Sequence, residues 1–271
     1  MSVKHKILVL GCGNMGAALA SGYAVSHPLS QVVAIDRDPV RAASLLPLGS
    51  PVKVFVSPEE VLDLCPDLVI LALKPQVLGE TLADFIDLCG EALIVSIAAG
   101  VGVERLRELF GGHMRIARAM PNLPVVVGKG MSVLYSGDLS PADVTACHEV
   151  FEAVGDVAWV DEETLIDAAT AVAGSGPAYF FAMVEHLAAA GVAEGLSIEL
   201  AERLARQTCV GAAALIAADS RSAATLKAAV CSPRGTTEAG LMAMEGIAGL
   251  PAVVAAGVAA AHARARELAA C

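Results

Sequence analysis

Residues 231–237 read Cys-Ser-Pro-Arg-Gly-Thr-Thr and run into the apolar, helix-forming segment EAGLMAM. No histidine, paired carboxylates or metal-ligand spacing accompanies them, so their chemistry is hydrogen bonding. If a helix starts at the end of the segment, backbone N–H groups of Ser232, Arg234, Gly235 and Thr236 are free at its N-terminus. A carboxylate placed there gains charge-assisted bonds, and the Ser232 hydroxyl adds one more. By themselves the same residues also make an ordinary helix cap.

A second stretch, Gly11-Cys12-Gly13-Asn14-Met15-Gly16, fits G-x-G-x-x-G. The pattern is weak alone, but here ILVL precedes it as a buried strand and an alanine-rich helical segment follows. Gly11 permits the tight turn, Gly13 lets backbone approach a pyrophosphate, and Gly16 lets helix pack on strand. Asn14 and Met15 open the helix, whose free N–H groups and dipole face the phosphates. Asp36 ends the next strand, twenty positions beyond Gly16. A carboxylate there accepts from a ribose 2′-hydroxyl, whereas Arg37 and Arg41 suit the 2′-phosphate of NADPH. NADPH is the expected cofactor, with NADH left open.

The elements that would position these residues fall into two textures. The apolar runs are Ile7–Leu10, Val32–Ile35, Leu68–Leu73, Leu93–Ile97, Ile116–Ala119, Met131–Tyr135 and Val157–Val160. Helical candidates at Met15–Ser26, Pro39–Leu46, Pro58–Leu64, Val77–Leu88 and Val103–Leu109 separate several of them. Near-continuous apolar strands alternating with helices predict a mainly parallel sheet covered on both faces, with the direction of the strands after Met120-Pro121-Asn122 left open. From Glu162 to Ala270 only alanine-rich helical patterns occur. They break at 174–177, 195–197, 219–222, 232–235 and 249–251. The expected class is α/β: a Rossmann-type dinucleotide-binding domain over 1–161, then an all-helical substrate-binding and dimerisation domain over 162–271.

Composition sets the wider bounds. With 56% apolar and 17% charged residues the chain has material for a large core, and disorder is excluded. Only 4% are aromatic, so Ala, Leu and Val must build that core. A formal charge of −11 argues against nucleic acid or an anionic membrane as partner. Seven cysteines without a C-x-x-C pair read as reduced thiols, and six scattered histidines offer no metal site, so no metal is expected. The N-terminus lacks the pattern of a signal peptide, and no apolar run is long enough to span a bilayer. A cytoplasmic, soluble protein is expected. Small residues beside Leu204 and Leu215, at Thr208 and Gly211, suit contact with a second copy of the chain.

LALKPQ (Leu71–Gln76), SIAAGV (Ser96–Val101), RAMPNLP (Arg118–Pro124) and GSGPAYFF (Gly174–Phe181) join SPRGTT to complete a pattern. Together they resemble the Δ1-pyrroline-5-carboxylate reductase family, in order and over nearly the whole chain. The resemblance implies hydride transfer from NAD(P)H to a cyclic imine, giving L-proline in the last step of its biosynthesis. It also implies a homodimer or higher oligomer whose helical domain interleaves with its mate. Carried over by position, Ala72, Lys74, Pro75 and Gln76 edge the nicotinamide half of the cofactor. Ala98 and Ala99 line that pocket, and Pro121 and Asn122 flank the nicotinamide. Ser232, Pro233, Arg234, Gly235, Thr236 and Thr237 become the substrate loop, with Ser232 and Thr237 catalytic and the Thr237 hydroxyl directed to the ring nitrogen.

Three positions depart from the family pattern. Arg234 stands where glycine is usual, and arginine is unfavourable at positive φ, so either the site is not left-handed or the loop differs. Leu123 replaces a threonine, and Pro58 replaces an asparagine beside the adenosine. A β-hydroxyacid dehydrogenase would need a lysine on the helix after Pro177, which carries Glu185 and His186 instead. A reductase of another cyclic imine and a non-catalytic cofactor sensor remain as alternatives.

Overall fold

The structure is a computed structural model describing residues 4–82 and 84–269. The Cys271 thiol, the start of the basic N-terminal lead, Ala83 in the Val77–Leu88 helical candidate and Ala270 lie outside the described residues. By contacts the chain forms two compact units: one runs to Gly174 and resumes at Ala261, and the other is Ser175–Ala260.

The first unit is built on eight strands: β1 (Lys6–Leu10), β2 (Gln31–Ile35), β3 (Lys53–Phe55), β4 (Leu68–Leu71), β5 (Leu93–Ser96), β6 (Ile116–Pro121), β7 (Gly130–Ser136) and β8 (Gly155–Trp159). They form one sheet in the order β3-β2-β1-β4-β5-β6-β7-β8. Every pairing is parallel except β6 with β7. That exception has a local cause. β6 and β7 are joined by a single 3-10 turn, Leu123–Val127, too short for the crossover that a parallel pair requires.

The helices of this unit are α1 (Asn14–Ser26), α2 (Pro39–Leu45), α3 (Pro75–Leu82), α4 (Ile86–Cys89), α5 (Val103–Leu109), α6 (Pro141–Glu152) and α7 (Leu165–Ala169). Strand side chains alternate between two buried faces. Ile7 and Val9, Val32 and Ala34, and Leu68 and Ile70 enter one cluster; Leu8 and Leu10, Val33 and Ile35, and Val69 and Leu71 enter the other. Both faces being covered explains why these strands read as unbroken apolar runs. The segment Val77–Leu88, expected as one helix, divides into α3 and α4. β3, only three residues long at the sheet edge and partly exposed, carries no periodic signal of its own.

Strand texture ends near Asp161, yet the first compact unit continues to Gly174. α7 and the π-helical turn Thr170–Gly174 pack on β6 and β7, with Ile166 and Ala171 buried.

The second unit carries α8 (Gly176–Ala193), α9 (Ile198–Ala218), α10 (Ala223–Ala229), α11 (Thr236–Met244) and the first part of α12 (Leu250–Ala269). Gly195, at φ 97°, ends α8, and the Ser197 hydroxyl caps α9 by accepting from the Leu200 amide. Between Ser175 and Ala260 only Gly176, Ala201 and Ala205 are buried. Large apolar side chains stand in water, Phe180 at 67% and Met242 at 74% exposure among them.

Candidate active site

Strand order reverses beside β1, which pairs with β2 on one side and β4 on the other. In open parallel sheets ligands bind beyond the carboxyl ends of the strands at such a point. A cavity of about 650 Å³ lies there, its lining including Gly11, Gly13, Asp36, Arg37, Arg41 and Lys74, together with Ser57 and Ala72.

The glycines take three distinct local roles. Gly11 has φ 90°, and a Cβ there would meet the Ala72 carbonyl oxygen at 2.7 Å. A Cβ on Gly16 would overlap the Gly11 carbonyl oxygen and lie 3.2 Å from the Ala72 methyl. Gly13, by contrast, has no atom within 4 Å of where its Cβ would be. Protein packing does not require glycine at 13. The open space beside it is the cradle that an approaching pyrophosphate would fill, so these residues fit a dinucleotide. Met15, partly buried against the core, and exposed Asn14 open α1 just beyond.

Asp36 braces this turn. Its Oδ2 accepts from the Cys12 amide at 2.7 Å and its Oδ1 from the Asp38 amide at 3.0 Å. Burial, and then the Asp36 charge, push the Cys12 thiol up to about 11, so it stays protonated at neutral pH. Arg37 and Arg41 are exposed on the wall with no ion-pair partner among the described residues. Pro58 lines the same cavity, beginning a 3-10 segment, while Glu60 Oε1 accepts from the amides of Val56 and Ser57. Ser57 was missed by sequence reasoning, although its place three residues before Glu60 is a capping signature.

Pro75, Ala98, Pro121 and Asn122 do not wall this cavity. Pro75 and Ala98 follow β4 and β5, Pro121 ends β6 and Asn122 follows it; these strands run parallel, so all four residues share the carboxyl edge of the sheet. Two of them differ from expectation in what their side chains do. Ala98 is 4% exposed and packs in the core, its amide donating to Ser96 Oγ, whereas Ala99 is the exposed member of the pair. Asn122 is buried and bridges backbone: Nδ2 donates to the Ala173 carbonyl at 2.9 Å, and Oδ1 accepts from the Met131 amide at 2.8 Å. Its amide group is engaged in holding β6 to β7 and to the π-helical turn, because a buried amide must satisfy both ends.

Residues 231–237 lie in the second unit and form a tight turn ahead of α11. The Gly235 amide donates to the Ser232 carbonyl at 2.9 Å, with Pro233 and Arg234 between them. This is the pattern of a type II turn, whose third residue needs positive φ. Arg234 has φ 60°, so the site is left-handed despite its arginine, and the first of the two alternatives is ruled out. The left-handed form costs an L-residue roughly 1–2 kcal/mol. Opposing that cost, Glu238 Oε2 accepts from the Arg234 amide at 2.7 Å, and a hydrogen bond to a charged group contributes about 1.5–3 kcal/mol. A Cβ on Gly235 would meet Ser232 Oγ at 2.5 Å and the Ser232 carbonyl oxygen at 3.0 Å, so a larger residue there would turn the Ser232 hydroxyl aside.

The amides of Arg234 and Gly235 are therefore engaged, contrary to the expectation that they are free, and Pro233 has none. Those of Ser232, Thr236 and Thr237 have no hydrogen-bond partner among the described residues.

A mainly parallel sheet with a glycine turn at its switch point defines a dinucleotide-binding domain. Residues 163–268 match the family model described as pyrroline-5-carboxylate reductase dimerisation, and residues 6–100 match the one described as NADP oxidoreductase, coenzyme F420-dependent. The chain is 38% identical to the pyrroline-5-carboxylate reductase of Pseudomonas aeruginosa over 97% of both chains. It belongs to the pyrroline-5-carboxylate reductase family. Among solved structures it is similar to a pyrroline-5-carboxylate reductase from Coxiella burnetii, with TM-score 0.89, 30% identity and coverage of 98% of this chain and 99% of that one. It is also similar to the Plasmodium falciparum pyrroline carboxylate reductase with NADP bound, with TM-score 0.80, 28% identity and 98% of each chain covered. The protein is thus an oxidoreductase that reduces pyrroline-5-carboxylate to L-proline with a hydride from NAD(P)H. It carries the family's dimerisation module, and no described helix is long and apolar enough to cross a membrane.

Proposed function

We propose that NADPH lies along the carboxyl edge of the sheet and that Ser232–Thr237 takes the carboxylate of pyrroline-5-carboxylate. The observation that carries the substrate half is the set of amides at Ser232, Thr236 and Thr237 that have no partner among the described residues, next to the hydroxyls of Ser232 and Thr237. A carboxylate there replaces water on donors that are otherwise unpaired, and the α11 dipole favours its charge. Pro233, Arg234 and Gly235 shape the turn. NADPH, when bound, supplies the hydride that adds to the imine carbon. The imine nitrogen of the substrate is basic, so a protonated fraction arrives already activated. Thr237 then directs its hydroxyl to that nitrogen as it passes from imine to amine. Orientation does most of the work, and well-aligned reactants can gain roughly 7–11 kcal/mol from it.

On the cofactor side Gly11, Gly13, Asn14, Met15 and Gly16 hold the pyrophosphate. Ala72, Lys74 and Pro75 continue the track towards the nicotinamide, with Ala98, Pro121 and Asn122 beyond. Asn122 takes part through its backbone, its side chain being engaged elsewhere. Asp36 is turned inward onto two amides, and the unpaired Arg37 and Arg41 beside it support a preference for NADPH. Replacing Arg37 and Arg41 by alanine is expected to raise the KM for NADPH at least tenfold, one charged contact's worth, and to leave that for NADH within twofold. Equal changes for both cofactors would refute this assignment.

The exposed apolar helices support a homodimer through the second unit, because so little of that unit is buried by its own chain. The six described cysteines are all free, which supports a reducing, cytoplasmic setting.

The decisive assay follows NADPH and NADH oxidation with pyrroline-5-carboxylate and with its six-membered analogue. Thr237→Ala is expected to lower kcat roughly ten- to a hundredfold, the worth of one hydrogen bond to a charged nitrogen. Its affinity for NADPH should stay within twofold. An equal loss of cofactor affinity would reassign Thr237 to the fold, and binding without turnover of either imine would favour a sensor.

A further inference from the structure

We propose that Glu238 is a positioning residue for the reductase reaction, acting through Arg234. The proposal rests on the reading of Ser232–Thr237 as the acid-binding loop. Among the described residues only Cys65 and Arg234 are non-glycine residues at positive φ. Arg234 is the one inside that loop, and its amide is held by Glu238 Oε2 at 2.7 Å. The turn from Ser232 to Gly235 requires the left-handed conformation at its third residue, which glycine adopts freely and arginine does not. Glu238 is the fourth residue after Arg234 and stands in the first turn of α11, where the helix dipole favours a carboxylate. The bond therefore lets an arginine hold a glycine's conformation, and it fixes the direction in which the Ser232, Thr236 and Thr237 amides point.

A second consequence concerns charge. Glu238 places a negative group beside amides that must receive an acid, and alone it would repel the substrate. The Arg234 guanidinium is exposed and without an ion-pair partner among the described residues, and it supplies an opposite charge on the same loop. Arginine brings left-handed strain and positive charge, and glutamate supplies the hydrogen bond that opposes the strain and a charge of opposite sign.

The test compares the wild type with Glu238→Ala, Glu238→Gln and the double variant Arg234→Gly with Glu238→Ala, in the full-length protein. Glu238→Ala should raise the KM for pyrroline-5-carboxylate about tenfold, with NADPH affinity unchanged and Tm nearly so. Glu238→Gln keeps the accepting oxygen and should stay within threefold of the wild-type KM. In the double variant glycine takes the turn unaided, and at least fivefold of the loss should return. An unchanged KM in Glu238→Ala overturns the proposal, as does a loss that neither glutamine nor the added glycine recovers. Should the wild type itself fail to turn over pyrroline-5-carboxylate, the reading of the loop fails separately. The crystal structure of Glu238→Ala then still decides whether Arg234 leaves the left-handed region, and an Arg234 that stays there refutes the role of Glu238.

Discussion

Gly13→Ala is expected to leave the protein folded and to weaken NADPH binding about a hundredfold, while Gly16→Ala damages both properties. The two glycines lie three residues apart and differ in what surrounds them. At Gly13 nothing approaches within 4 Å of the added methyl, and its φ of −74° suits alanine. The only folding cost is a poorer N-cap for α1, about 1 kcal/mol, which lowers Tm by roughly 2–4 °C. The methyl instead occupies the space into which a pyrophosphate must come to reach the α1 amides. Losing one or two charge-assisted bonds of about 1.5–3 kcal/mol each corresponds to roughly a hundredfold in Kd. At Gly16 the methyl overlaps the Gly11 carbonyl, so α1 must move away from the turn that follows β1. Overpacking of that kind costs about 1–3 kcal/mol, and the α1 amides proposed to meet the pyrophosphate move with the helix. Calorimetric titration with NADPH beside thermal melts separates the two. Wild-type affinity in Gly13→Ala would show that the pyrophosphate does not lie against residue 13.

What could be read from the sequence follows how far apart the interacting groups are. The glycine turn and the helix breaks were legible because their geometry depends on neighbours in the chain, whereas the hold of Asp36 on the Cys12 amide, 24 residues away, was not. Asp38 capping α2, Ser197 capping α9 and Gly195 ending α8 are of the same kind. The role of the Asn122 side chain was not legible, since Ala173 lies 51 residues away and no local pattern announces it. Arg234 was a half-way case: propensity spoke against positive φ, while the residue that overrides it stood four positions on, at Glu238. The two-sided burial of β1, β2 and β4 was visible as unbroken apolar runs, but β3, at the edge and three residues long, left no such trace.

The first unit depends on a long-range ion pair between Arg118 and Glu163. Arg118 on β6 is 5% exposed, a charge that must be matched, and its Nη1 donates to Glu163 Oε1 at 2.7 Å. That oxygen also accepts from the Val103 amide at 2.8 Å, at the start of α5. One carboxylate therefore joins β6, α5 and the segment before α7, close to the Pro121–Asn122 and Ala98–Val101 stretches at the carboxyl edge. Glu163→Ala would leave a buried guanidinium unpaired and a backbone donor without its partner. Removing one member of a buried ion pair costs about 3–5 kcal/mol. The Glu163 side chain keeps 27% of its surface in water, so the low end applies, near 3 kcal/mol. For a chain of this size that lowers Tm by roughly 6–12 °C. Glu163→Gln retains an acceptor for both donors and should recover about half of the loss. Replacing Arg118 by methionine together with Glu163→Ala removes the charge that needs matching, and should be more stable than Glu163→Ala alone. Thermal melts of the three variants decide the matter: a double variant less stable than Glu163→Ala would mean that Arg118 finds another partner, and that Glu163 matters through Val103 alone.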